Sequence, residues 1–221
     1  LFTFKFMKYK HIIWDWNGTL LNDLSLCVTI LNQSLNKRNI PAITIQAYKE
    51  KFLFPIKTFY ESIGFDFDKE PFENTNIEFH DGFEKQFKTL ALQPFAKETI
   101  IQFNKNDITQ SVLSATLQDK LVEQIGFFNL DQYIQNIAGL RNTPSGYGKE
   151  YEGEELLMSV DIPKSETMIV GDSLLDFKVS QHLGVDCVLV HNGHNDINRL
   201  HNTGTNTFSN IKDLYNWVIN T

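Results

Sequence analysis

A chain of 221 residues fits one large domain or two small ones. Hydrophobic residues make up 42% and charged residues 21%, which supplies a packed core and excludes a disordered chain. Twenty Lys and Arg against 27 Asp and Glu leave a net charge of −7, which argues against a general nucleic-acid binder.

No apolar run approaches the roughly 18 residues of a membrane span, so no membrane association is expected. Residues 1–6 lack the basic cluster, long apolar stretch and cleavage site of a signal peptide, and Met7 reads as a natural start. Cys27 and Cys187 lie far apart with no CxxC spacing, so a reducing cytosol is the expected compartment.

Residues 11–15 read as a short buried strand that ends on Asp15, followed by a turn at Gly18. Leu24, Val28, Leu31 and Leu35 then recur at helical spacing until Pro41 stops the pattern. Residues 42–92 predict further helices and no strand. Phe79, Phe83 and Phe87 stand at i, i+4 and i+8, and ten of the 18 Phe residues fall between positions 52 and 95. Two readings of these rings are open: the core of a small helical bundle, or the lining of a substrate cavity beneath a lid.

After Pro94 the pattern changes again. A helix at 95–105 precedes a strand at 111–114, a helix at 117–126 and a strand at 133–138. A loop at 142–146 leads to a helix at 150–160, a strand at 167–171, a helix at 174–183 and a strand at 185–190. Helices at 196–201 and 211–219 close the chain. This alternation predicts βαβ units, hence an α/β fold with a parallel sheet. Right-handed crossovers bring the strand C-termini to one edge, where such sheets bind ligands. Asp15, Ser114 and Asp172 all stand at predicted strand ends. Each alone reads as an ordinary cap or turn residue; together they mark one edge.

Asp15-Trp16-Asn17-Gly18-Thr19-Leu20 resembles the first motif of the haloacid dehalogenase-like superfamily, Asp-x-Asp-Gly-Thr after a short apolar strand. Ser114 resembles the second motif, Lys149 ahead of Glu154-Glu155-Leu156-Leu157 the third, and Gly171-Asp172-Ser173-Leu174-Leu175-Asp176 the fourth, Gly-Asp-x-x-x-Asp. Four motifs in order, from about Tyr9 to the end, make the resemblance specific. It implies a Rossmann-like core with helices on both faces, over residues 1–23 and 93–221. The helices of 24–92 stand where the superfamily carries an α-helical cap. The likeness is to the phosphoglycolate phosphatase-like members, which implies a small phosphorylated metabolite as partner. Oligomeric state is not legible.

The resemblance also assigns roles. Asp15 would take the phosphoryl group, since a carboxylate nucleophile splits one hard step into two. Mg²⁺ would be held by Asp15, Asp172 and the Asn17 carbonyl, with Asp176 a ligand or a support. Lys149 would neutralise phosphoryl oxygens. Ser114, Ala115, Gly18 and Thr19 would surround the transferring group with donors.

Asn17 departs from the pattern, because the superfamily has a second Asp there as general acid and base. A carboxamide cannot transfer that proton, a contribution of about 10²–10⁴-fold. Three readings stay open: a slow phosphatase suited to good leaving groups, an enzyme with another acid, or a non-catalytic phosphate- and metal-binding protein. Phosphonoacetaldehyde hydrolases also lack this acid. They use a cap lysine, for which Lys49, Lys51 and Lys57 are candidates here. His191-Asn192-Gly193-His194 reads as loop histidines flanking the site rather than a metal pair.

Overall fold

The computed structural model describes residues 7–141 and 149–221. The strands are β1 (His11–Trp14), β2 (Thr109–Leu117), β3 (Asn136–Leu140), β4 (Thr167–Gly171), β5 (Asp186–Val190) and β6 (Asn206–Phe208). Four helices follow β1: α1 (Leu24–Lys37), α2 (Ile45–Lys51), α3 (Ile56–Ser62) and α4 (Phe72–Glu84). The others are α5 (Ala96–Lys105), α6 (Gln118–Phe127), α7 (Glu150–Met158), α8 (Leu174–Leu183), α9 (Ile197–His201) and α10 (Ile211–Val218). No helix among the described residues is long and apolar enough to cross a membrane.

All six strands form one parallel sheet in the order β3-β2-β1-β4-β5-β6. Every residue of β1 is buried, as a strand covered on both faces requires. Alternation along the strands sorts the core into two layers. Ile12, Trp14, Val112, Met168 and Val170 meet α5, α6 and α10 through Ile100, Phe103, Leu121, Ile125, Ile211 and Leu214. Ile13, Leu113 and Ile169 point the other way, to Leu156 of α7 and Leu175, Val179 and Leu183 of α8.

The chain leaves β1 with β2 on one side and β4 on the other, so β1 sits at the topological switch point. Open α/β sheets bind ligands in the crevice beyond the strand ends there. Trp14 pairs with both Val112 and Val170, and Asp15 is the next residue out.

Helices α1 to α3 build a separate aromatic cluster from Val28, Leu31, Leu35, Tyr48, Phe52, Phe59, Tyr60 and Phe65. The ends of this helical insert run side by side. Asn22 N–H donates to Ala91 O at 3.0 Å, Gln93 N–H donates to Leu20 O at 2.8 Å, and Leu21 forms an antiparallel bridge with Leu92.

The elements differ from expectation in four places. Strand β2 runs past Ser114 to Leu117, with a register shift between Leu113 and Leu117, because Ser-Ala-Thr-Leu contains no glycine or proline to stop it. Strand β3 begins at Asn136, since Asp131–Tyr133 wind into a 3₁₀ turn instead. Strand β6 has three residues, too few to show a period. Helix α4 ends at Glu84, which puts Phe87 in a following 3₁₀ turn, where it is still buried and meets Phe127 edge-on. The loop expected at 142–146 lies outside the described residues.

Candidate active site

Asp15 sits just past β1, with its N–H donating to Val170 O at 2.8 Å. Asp172 follows β4 directly and is buried. Asp176 occupies the first turn of α8, where its Oδ2 accepts from Ser173 N–H at 3.0 Å and Ser173 Oγ at 2.6 Å. That capping arrangement satisfies helix N-terminal donors and fixes the carboxylate toward the sheet edge. Asp15, Asp172 and Asp176 bring one oxygen each within 4.8 Å of one another.

Lys149, the residue before α7, reaches into this carboxylate cluster and is 1% exposed. Its ammonium pairs with Asp15 Oδ1, lies 2.8 Å from Asp176 Oδ1 and donates to Leu113 O at 2.8 Å. Burial opposes the charge on Lys149. The Asp15 and Asp176 carboxylates more than offset it and hold the pKa above the usual lysine value. Burial pushes the Asp15 carboxyl upward, and the neighbouring Asp176 and Asp172 add to it against the pull of Lys149. Burial likewise lifts Asp172 to about 6, with the nearby His194 pulling it down and Asp176 pushing it up.

The turn after β1 is crowded. Thr19 Oγ1 lies 3.0 Å from Asp172 Oδ1 and 3.3 Å from Asp15 Oδ2. Gly18 has φ +78°, and a Cβ there would stand 2.5 Å from both Asp172 Oδ2 and the His194 ring. Its N–H donates to Asp23 Oδ1 at 2.8 Å, so this donor is turned to protein. A Cβ on Gly193 would overlap the Asp172 carboxylate. His194 N–H donates to that carboxylate at 2.5 Å.

Asn17 is held at both ends. Its Nδ2 donates to Asp23 Oδ2 at 2.7 Å, and its Oδ1 accepts from Thr116 Oγ1 at 2.7 Å. Ser114 is buried, and its Oγ accepts from Thr116 N–H at 3.1 Å.

Asp23, Cys27, His194 and Tyr48 form a second group that the motifs did not single out. His194 Nε2 lies 3.1 Å from Asp23 Oδ1 and its Nδ1 lies 3.0 Å from Tyr48 Oη. Burial works against the imidazolium. The Asp23 carboxylate overrides it and raises the His194 pKa to about 9. Cys27 Sγ is 3.5 Å from Asp23 Oδ2, and burial pushes that thiol well up. The available signal was position, because His194 follows β5 on the same sheet edge.

The stretch from His191 to Arg199 also fastens the insert. Lys49 Nζ donates to His191 O at 3.0 Å, Asn195 Nδ2 to Phe52 O at 3.0 Å and Arg199 to Phe52 O at 2.6 Å. Of the other insert lysines, Lys51 reaches Ser62 O and Lys57 lies over Phe67.

One cavity of about 380 Å³ joins the carboxylate edge to the insert. Asp15, Asn17, Ser114, Ala115, Asp172 and Asp176 border it on the sheet side. Phe52, Phe54, Phe59, Phe79 and Phe83 border it on the other, so both sequence readings of the rings hold at once: core and lining. Gly18, Thr19 and Lys149 do not border it, nor do Lys49, Lys51 and Lys57.

A family model described as haloacid dehalogenase-like hydrolase matches residues 12–190. A protein of Caldanaerobacter subterraneus subsp. tengcongensis with the provisional name pyrophosphatase PpaX is 21% identical over 203 residues, 83% of this chain and 82% of that one. A crystal structure described as a predicted phosphatase from Clostridium acetobutylicum superimposes with a TM-score of 0.81 at 18% identity, over 96% of this chain and 99% of that one. One described as a predicted phosphoglycolate phosphatase from Haemophilus somnus gives 0.74 at 17% identity, over 96% and 99%. At these identities the two structures establish the fold.

Proposed function

The chain belongs to the haloacid dehalogenase-like hydrolases, and from that premise we propose that it is a divalent-cation-dependent phosphatase acting on a small phosphomonoester, with Asp15 as nucleophile. The observation that carries this reading is the buried Lys149 ammonium set between Asp15 and Asp176 at the switch-point edge. That buried cation offsets the charge of two carboxylates at the edge where an anionic ester would dock, and so lowers the repulsion it would meet. In this reading 24–92 forms a cap over a core of 1–23 and 93–221, and it limits substrates to what the cavity holds.

The residues fit a hard cation. Three carboxylates within 4.8 Å of one another have a single buried ammonium among them, so the cluster has room for further positive charge. Their donors are all oxygen, as Mg²⁺ prefers. Asp15 and Asp172 would hold the ion, with Asp176 supporting them and the Asn17 carbonyl completing the protein's share. When bound, the ion would supply positive charge to the phosphoryl oxygens.

The chain's own groups then divide the work. An Asp15 oxygen attacks phosphorus, and the bond to the ester oxygen breaks with its electron pair on the leaving group. Water next attacks the aspartyl-phosphate, which releases inorganic phosphate and restores the Asp15 carboxylate; the water proton passes to phosphate or solvent. Lys149 orients Asp15 and balances its charge, while the Ser114 hydroxyl and the backbone at Ala115 face the transferring group. The cavity wall excludes bulk water.

A second reading rests on Asn17, whose carboxamide is engaged by Asp23 and Thr116 and has no proton to transfer. It makes the protein a phosphate- and metal-binding relative without turnover. Mg²⁺-dependent phosphate release from 4-nitrophenyl phosphate separates the two. Release by the wild type that vanishes in Asp15→Asn, with a phosphorylated Asp15 peptide after acid quench, supports the enzyme. Release that survives Asp15→Asn removes the nucleophile, and inert wild type and Asn17→Asp across a panel of phosphates leave the binding reading. The absence of Lys49, Lys51 and Lys57 from the cavity disfavours a Schiff-base hydrolase.

A further inference from the structure

Resting on the phosphatase reading, we infer that the substrate is an aryl phosphate monoester with an uncharged ring, held by the aromatic wall of the cavity. A small phosphorylated acid does not fit that wall.

The first observation is the wall itself. Phe54 and Phe79 are half-buried and border the cavity beside the buried Phe52, Phe59 and Phe83. Tyr48 and Phe52 stack with centroids 5.1 Å apart, and Phe59 meets both edge-on at 5.2 and 5.4 Å. Such faces and edges favour another ring. At about 380 Å³ the cavity lies at the low end of small-molecule sites, the size for one or two rings beside a phosphate.

The second is charge. The described basic side chains bordering the cavity are Lys120, His80 and His194. Lys120 is 3.0 Å from Glu84, His194 is paired with Asp23, and burial keeps His80 below its usual pKa. Asp81 and Glu84 add negative charge to the same wall. A carboxylate or second phosphate on the substrate would meet no uncommitted cation among these residues, and desolvating it there is unfavourable.

The third is chemical. With Asn17 in place of an acid, the leaving oxygen departs with its electron pair and takes its proton from solvent. A phenol has a pKa near 10, whereas an alkoxide leaves as a base comparable to hydroxide, the conjugate base of water at about 15.7. Phenolate therefore needs no donor at position 17, and ring recognition and missing acid point to one substrate class.

The test measures Mg²⁺-dependent phosphate release from phenyl phosphate, acetyl phosphate, glycerol phosphate and 2-phosphoglycolate. It also measures calorimetric binding of phenylphosphonate and phosphonoacetate, which are not turned over. Phenyl phosphate is expected to exceed each of the others in kcat/KM by about tenfold or more, and phenylphosphonate to bind about tenfold tighter than phosphonoacetate. Phe79→Ala should reduce the phenyl-over-acetyl preference about tenfold, with Phe79→Leu as the variant that keeps the packing. Turnover that favours acetyl phosphate or 2-phosphoglycolate overturns the ring class and leaves the phosphatase. No turnover with tight phenylphosphonate binding overturns the phosphatase and leaves the ring class. No turnover and no binding overturns both.

Discussion

Asn17 and Asp23 face each other across one turn of chain, and the carboxamide of the first donates to the carboxylate of the second at 2.7 Å. Asp23 is fully buried and also receives Gly18 N–H and the His194 ring. The amide is therefore built into a network, with its donor and acceptor ends both used. An acid at position 17 would meet a carboxylate where the amide now finds an acceptor.

Asn17→Asp is expected to lose about 1–3 kcal/mol of folding stability at pH 8, because a hydrogen bond becomes a contact between buried like charges. The same change should speed hydrolysis of alkyl phosphates by about 10²-fold or more and of aryl phosphates far less, since an acid helps most where the leaving group is poor. Urea denaturation and a leaving-group series measure the two effects. Equal acceleration of both ester classes would show that position 17 does not act on the leaving group.

Lys149→Met removes a buried cation from between two carboxylates. It is expected to lower stability by about 3–5 kcal/mol, the range for breaking a buried ion pair from one side. Mg²⁺ should raise the thermal midpoint of the variant more than that of the wild type, because its carboxylates lack the ammonium. Calorimetric scans with and without the ion read this directly, and identical shifts would separate Lys149 from the metal site.

Gly193→Ala puts a methyl where the Asp172 carboxylate lies. The expected result is an Mg²⁺ affinity weaker by about tenfold or more, as for lost orientation of a ligand, with circular dichroism unchanged. Titration of Mg²⁺ by calorimetry decides it; wild-type affinity would mean that Asp172 is not a ligand.

His11 supplies a pH dependence remote from the carboxylates. It is fully buried in β1, with Nε2 2.9 Å from Ser111 Oγ, and burial lowers its pKa to about 4. The unfolded chain takes up this proton near pH 6.5, and the folded chain resists until about pH 4. The group therefore has no effect above pH 6.5. Below that the unfolded state binds more protons, and stability falls by about 3 kcal/mol on the way to pH 4. Urea midpoints between pH 4 and 7 should show this slope, and His11→Gln should flatten it.

Asp15 and Asp172 were legible because each follows a short apolar strand, and a parallel sheet gathers such ends on one edge. Lys149 was legible only through motif order, since nothing in its own neighbourhood marks a lysine that is 1% exposed. Asp23 and His194 were not legible as a pair. They are 171 residues apart and are completed by Tyr48 from the insert, a juxtaposition with no period in the sequence. The aromatic stripe was half legible: ring spacing predicts packing, whereas the cavity depends on how α1 to α4 sit over the sheet.

The two strands of chain that join the insert to the sheet behave as one crank. Asn22 N–H donates to Ala91 O and Gln93 N–H to Leu20 O, on either side of the Leu21–Leu92 bridge, so the two are tied to each other. Gln93 also donates from Nε2 to Gly18 O at 3.0 Å, and Gly18 N–H holds Leu21 O at 3.0 Å. A displacement of the insert would therefore be passed to the turn carrying Asn17, Gly18 and Thr19. That turn also bears on Asp15 and Asp172 through Thr19, so the insert and the carboxylate edge share one mechanical connection.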